Sequence, residues 1–136
     1  MQENRPVGQT ASTGFQIGVR RTFPITIEEA WDLITHKGLN TWLGAISSFS
    51  MRMGQKYMTS EGISGEIRVV NQYQNIRLTW KKENWVKSST LQIRTISKGD
   101  AKTTLSFHQE NLADIDVREE MKMRWNETLN KLSTLI

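Results

Sequence analysis

Between Asp114 and Ile136 the apolar residues fall at Val117, Met121, Trp125, Leu129 and Leu132, with Ile136 beyond them. Steps of three and four mark one face of an α-helix. Arg118, Lys122, Asn126 and Asn130 occupy its other faces. Asp116, placed ahead of Glu119, predicts a capping box at its start. At about 1.5 Å per residue this helix runs roughly 30 Å. It is long for a small domain, and its apolar stripe needs a broad surface to cover it.

Upstream the period is mostly two. From Phe15 to Phe23, Phe15, Ile17, Val19 and Arg21 alternate with Gln16, Gly18, Arg20 and Thr22, which predicts a strand ended by Pro24. Thr26 and Glu29 then form a second capping box, with Ile25 placed to staple onto Ala30. Ile27, Ala30, Trp31 and Ile34 make a helical stripe that stops near His36 and Gly38, and Leu39, Trp42 and Leu43 predict a further short helix. After Ser47 alternation returns. Phe49, Met51 and Met53 face away from Ser50 and Arg52, Gly54 marks a turn, and Tyr57 and Thr59 lead to another turn at Gly62. Ile67 and Val69 oppose Glu66 and Arg68. Past a turn over 71–75, Ile76, Leu78 and Trp80 oppose Arg77, Thr79 and Lys81. Leu91, Ile93 and Thr95 follow, then a hairpin turn at Lys98-Gly99-Asp100, then Leu105 and Phe107.

Strands with one apolar and one polar face describe an antiparallel sheet wet on one side and covered on the other. The closing helix and the early short helices are the available cover. The expectation is a two-layer α+β domain over 15–136: a curved antiparallel sheet of about six or seven strands, two short helices after the first strand, and a long C-terminal helix held in the curve. Residues 1–14 are polar and aperiodic and are expected to form a disordered tail.

Composition narrows the function classes. The chain has 136 residues, 24% charged and 37% apolar, which suits one ordinary globular domain. It has no cysteine, hence no thiolate chemistry or disulfide framework. Neither the ~20 apolar residues of a membrane span nor the apolar core of a signal peptide is visible, so the expected location is cytoplasmic. The net charge of +4 invites a nucleic-acid reading. The excess lies between Arg77 and Lys102, dispersed over a hairpin, and reads as a solvated face; no specific nucleic acid is expected as a partner.

Candidate chemistry is sparse. His36 and His108 are the two histidines and show no metal-ligand spacing. His108 falls on the polar face of a strand. No Gly-x-Ser-x-Gly turn and no glycine-rich phosphate loop occurs. The pairs Glu28-Glu29 and Glu119-Glu120 sit in first turns of helices, where negative charge suits the helix dipole. No catalytic residue, metal site or cofactor is expected.

Several stretches, in order, resemble the activator of heat-shock protein 90 ATPase homologue family of the helix-grip, START-like (SRPBCC) superfamily. "VRRTFPITIEEAWDLIT", with Trp31, looks like its first strand and helix. "LNTWLG", "MRMGQKY" and "SGEIRVVNQYQNIRLTW", ending at Trp80, resemble its next segments. "TTLSFHQENL" and "MRWNETLNKL", with Trp125, resemble its last strand and helix. Trp85 matches no position of that pattern. The resemblance implies the helix-grip fold and a cavity between sheet and closing helix. The expected cavity walls are Trp31 from the first helix, Met51, Ile67 and Val69 from the early strands, Leu78, Trp80, Leu91, Ile93, Leu105 and Phe107 from the later ones, and Met121 and Trp125 from the closing helix. The first reading is a non-enzymatic domain binding a small apolar or amphipathic ligand there. A second is a stress-related co-chaperone of a heat-shock protein 90 homologue, which the family name implies. A third is a cyclase- or hydratase-type enzyme, for which Tyr57, Thr95 and Gln109 are the inward polar candidates.

Overall fold

The computed structural model describes residues 9–10 and 14–136. Its elements are β1 (Gln9–Thr10), β2 (Gly14–Phe23), α1 (Ile27–Asp32), a π-helical turn (Leu33–Lys37), α2 (Leu39–Trp42), β3 (Lys56–Met58), β4 (Ser64–Asn71), β5 (Asn75–Trp80), β6 (Ser89–Ser97), β7 (Thr103–Leu112) and α3 (Ile115–Ser133). The strands form one antiparallel sheet in the order β1-β2-β7-β6-β5-β4-β3. The early strand β2 thus lies beside the last, with Val19 opposite Phe107. Helix α3 packs over β2 and β7 and against α2. The architecture is the expected α+β helix-grip layering. Of the expected tail, residues 9–10 pair with Phe15 and Gly14 as a short edge strand; residues 1–8 and 11–13 lie outside the described residues.

Local signals placed the helices well. Thr26 caps α1 by accepting from the Glu29 N–H at 3.1 Å, and the Glu29 carboxylate accepts from the Thr26 N–H at 3.0 Å. The backbone N–H of Thr26, then its side chain, holds the Glu29 carboxyl below its usual pKa. Because the folded-state value is the lower one, this contribution is present above about pH 4.3 and is lost as pH falls through the folded value. Thr26→Ala should cost about 1 kcal/mol in urea unfolding at pH 7. Glu29→Gln removes the carboxylate that accepts from the Thr26 N–H, and its deficit relative to the parent at pH 7 should shrink in acid; a deficit unchanged at acid pH would sink this account of the cap.

Three expectations need correction: the cap of α3, the strand over 49–53 and the face of Val69. The first helix stops at Gly38 as expected, with a widened last turn in which the Gly38 N–H bonds the Leu33 carbonyl at 2.6 Å, five residues back. A Cβ on Gly38 would stand 2.6 Å from Leu132 Cδ2, so glycine there lets α3 approach. Helix α3 is capped by Asp114, which accepts from the Val117 N–H at 2.9 Å, rather than by an Asp116 capping box. Phe49 to Met53 is not a strand. The backbone of Ile67 is bonded instead to Gly54 and Gln55, so this alternating segment finds no strand partner. Finally, the β4–β5 register shifts between Ile67 and Val69. The bulge puts Val69 opposite Arg77, on the outer face, and turns Val70 toward Ile76 and the core.

Candidate functional site

Helix α3 presents Met121, Trp125, Leu129 and Leu132 to the sheet. Eight of the expected cavity walls, Ile67, Leu78, Trp80, Leu91, Leu105, Phe107, Met121 and Trp125, are 0% exposed, and Ile93 is 1% exposed. A side chain without accessible surface borders no void that admits water. The space between sheet and α3 is therefore filled by side chains at these positions. Trp31 is buried in the same core cluster and meets Tyr73 edge-on at the β4–β5 turn, with ring centroids 6.2 Å apart. Met51 is half-buried at the margin of the core, and Val69 faces outward as described.

Aromatic rings run through the filled interior. Trp42 meets Phe107 edge-on at 6.5 Å, and Phe107 stacks on Trp125 at 5.4 Å. Trp125 meets Trp80 at 5.7 Å, and Trp80 meets Trp85 at 5.3 Å, both edge-on. Such pairs each add about 0.5–1.5 kcal/mol beyond their buried area. Polar atoms within this core are mostly paired. Trp42 Nε1 donates to the Ile34 carbonyl and Trp125 Nε1 to Gln109 Oε1, both at 2.7 Å. Gln109 Nε2 donates to Ser89 Oγ at 2.9 Å, and Ser89 Oγ donates to the Trp80 carbonyl at 2.6 Å. Gln109 thereby holds α3 to β7 and β6.

The row of rings ends at the molecular surface. Trp85 is half-buried in the β5–β6 loop and lines a cleft of about 460 Å³ with Gly14, Asn84, Val86, Lys87, Asn111, Leu112 and Ala113. Val86 is 96% exposed at its rim. The loop is tied down at both ends: Lys81 exchanges backbone hydrogen bonds with Ser64, and Asn111 Nδ2 donates to the Ser88 carbonyl at 3.1 Å. Asn111 itself adopts φ 66° as β7 turns toward α3. Among the five clefts described this one has the most apolar walls. A larger groove of about 600 Å³ along α3 is lined by Glu61, Glu120, Arg124, Glu127, Lys131 and other mostly polar residues. Sequence reasoning assigned no role to the residues of the apolar cleft. The signal available was the pair Trp85-Val86 inside an otherwise polar turn.

The other candidates are structurally engaged. Tyr57 is buried, and its hydroxyl donates to the Thr79 carbonyl at 2.5 Å; burial pushes its pKa well above the usual value. Thr95 is buried on β6, and its hydroxyl has no hydrogen-bond partner among the described residues. His108 Nε2 meets Gln16 Oε1 at 2.9 Å, and His36 Nδ1 meets Thr35 Oγ1 at 2.9 Å. Among the described residues no group of three or more His, Cys, Asp or Glu side chains is arranged to hold a metal, and no helix is long and apolar enough to cross a membrane. Arg77 and Arg94 are exposed on the sheet face away from α3.

The family model described as Activator of Hsp90 ATPase homolog 1-like protein matches residues 24–136. No curated protein matches. Among solved structures, an HSP90 activator from Plasmodium falciparum is similar at 20% identity and a TM-score of 0.78, over 90% of this chain and 96% of that one. CalU16 from Micromonospora echinospora is similar at 21% identity and a TM-score of 0.76, over 88% of this chain and 74% of that one. The Aha1 dimer from Colwellia psychrerythraea gives 15% identity and a TM-score of 0.70, over 87% of this chain and 92% of that one. At these identities the likeness is one of fold.

Proposed function

The chain belongs to the family of Activator of Hsp90 ATPase homolog 1-like proteins, and we propose that it uses this fold to bind a small apolar or amphipathic molecule, without catalysis, at the end of the seam between sheet and α3. The observation that carries the reading is the cleft of about 460 Å³ walled by Trp85, Val86, Leu112 and Ala113. Its volume lies within the roughly 300–1,000 Å³ of small-molecule sites, and its walls have their usual apolar character. The expected interior walls Trp80 and Trp125 stand behind Trp85 in the row of rings. Displacement of Trp85 would bring them to the ligand.

Titration with the fluorescent probe 1-anilinonaphthalene-8-sulfonate tests this. Saturable binding is expected, weakened at least tenfold by Val86→Asp. That change should leave the melting temperature unaltered, because Val86 is 96% exposed. Absence of saturable binding, or equal binding by Val86→Asp, would overturn the proposal.

A second reading, a co-chaperone of a heat-shock protein 90 homologue, is supported by the family description and by the likeness to the Plasmodium activator. A dose-dependent rise in ATP hydrolysis by a purified heat-shock protein 90 homologue would favour it over ligand binding.

A further inference from the structure

The sheet face turned away from α3 carries a basic patch that no single stretch of sequence spells out. Arg20 lies on β2, and its neighbour Arg21 reaches Asn130 on α3, so alternation turns Arg20 to the opposite face. The register pairs Arg20 with Ser106 on β7, and Ser106 with Arg94 on β6. Ser106 thus stands between two arginines set about 10 Å apart by two strand spacings. Thr22, Thr104 and Ile96 border this row on one side, and Gly18, His108 and Gln92 on the other. No carboxylate occurs among them. The other two arginines of the face each have one: Arg77 meets Glu110 and Arg68 meets Glu66, both at 3.9 Å. Arg20 and Arg94 are exposed and take part in no ion pair among the described residues. The half-buried Ser106 hydroxyl makes no hydrogen bond among them, although Thr22 and Thr104 beside it bond each other and His108 meets Gln16.

We infer that this patch docks a phosphorylated segment of a partner polypeptide. At neutral pH a phosphoserine or phosphothreonine carries about −1.5 to −2 charge and three strong acceptor oxygens. The Arg20 and Arg94 guanidiniums donate to it from either side in charge-assisted hydrogen bonds, and Ser106 Oγ donates from beneath. Arginine stays charged and presents the planar fork that matches phosphate. The rest of the face selects the bearer. None of the large apolar side chains exposed among the described residues lies in the patch, so nothing there enters a bilayer or stacks on a base. None of the five clefts described includes Arg20, Ser106 or Arg94, so a small free ester has no walls around its body. An extended chain brings polar groups of its own to Gln92, Thr22 and the others around the phosphate. The patch shares no residue with the apolar cleft, so either can fail without the other.

The test titrates the full chain with a short glycine peptide carrying one central phosphoserine, at about 0.15 M salt, following the arginine Nε–H and Ser106 amide resonances of ¹⁵N-labelled protein. Saturable shifts at Arg20, Arg94 and Ser106 are expected, with at least tenfold weaker binding of the unphosphorylated peptide and weaker binding of inorganic phosphate. Arg20→Gln and Arg94→Gln should each weaken peptide binding at least tenfold, with melting temperatures unaltered because both side chains are exposed. Arg77→Gln removes an arginine already paired with Glu110 and should change binding less than twofold. Equal losses for all three variants would show diffuse attraction between charges and overturn the inference. An unmoved Ser106 resonance would overturn it too, as would inorganic phosphate binding as tightly as the peptide, which would mean an adventitious ion only. Binding to phosphatidylserine vesicles or to duplex DNA that is tighter than to the peptide, and that Arg20→Gln and Arg94→Gln abolish, would assign the face to a membrane or a nucleic acid instead.

Discussion

Trp125→Ala should lower the unfolding free energy by about 3–5 kcal/mol, measured by urea denaturation. Trp125 has no exposed surface, stacks on Phe107, meets Trp80 edge-on and donates its indole N–H to Gln109. Truncation removes all of these contacts and leaves a cavity that the surrounding strands cannot close. Met121, one turn earlier on the same stripe and also 0% exposed, should cost about 2–5 kcal/mol as Met121→Ala. Trp125→Phe keeps much of the ring but leaves Gln109 Oε1 without its donor; the unpaired acceptor alone is worth about 1–3 kcal/mol. The internal control is Met123, on the same helix and 74% exposed; Met123→Ala should stay within about 0.5 kcal/mol. A loss below about 1 kcal/mol for both Trp125→Ala and Met121→Ala would contradict a close-packed interior.

Gly65→Ala is expected to reach or exceed the upper end of the ~1–3 kcal/mol typical of overpacking. An added Cβ would stand 1.9 Å from the Thr79 carbonyl oxygen and 2.6 Å from the Tyr57 hydroxyl. Those two atoms already share a hydrogen bond, and Glu66 N–H donates to Thr79 Oγ1 at 2.8 Å, so β3, β4 and β5 converge there. The obstacle is backbone, which cannot rotate away as a side chain can. Gly18 supplies the contrast: its added Cβ would meet His108 Cδ2 at an ordinary 3.7 Å. Gly18→Ala should therefore change thermal stability little. Equal melting temperatures for the two variants would show that the strands at Gly65 can separate at little cost.

The separation between what was legible in the sequence and what was not follows the range of the interactions. The stripe Val117, Met121, Trp125, Leu129, Leu132 reported α3 because helical neighbours lie within four residues of one another. Thr26 and Glu29 reported the start of α1 for the same reason. The three tryptophans of the family pattern, Trp31, Trp80 and Trp125, were legible as members of one buried core. Where two local signals competed, as with Asp114 and Asp116 at the head of α3, spacing alone chose the wrong residue.

The amino-acid sequence by itself determined the α+β class, the order of the main elements, the family and the apolar face of nearly every strand, because periodicity, caps and turns are properties of adjacent residues. Tertiary structure alone decided the rest. Alternation in Phe49–Met53 promised a strand, yet a strand exists only where a partner offers its backbone, and Ile67 bonds Gly54 and Gln55 instead. Alternation also put Val69 inside, until a one-residue bulge against β5 reversed its face. Whether sheet and helix enclose space or fill it depends on the summed volumes of side chains far apart in the chain, here Trp42, Trp80, Phe107 and Trp125. The apolar cleft has the same origin: Gly14, Trp85 and Leu112 belong to segments that meet only because β2 and β7 pair and the β5–β6 loop folds over their end.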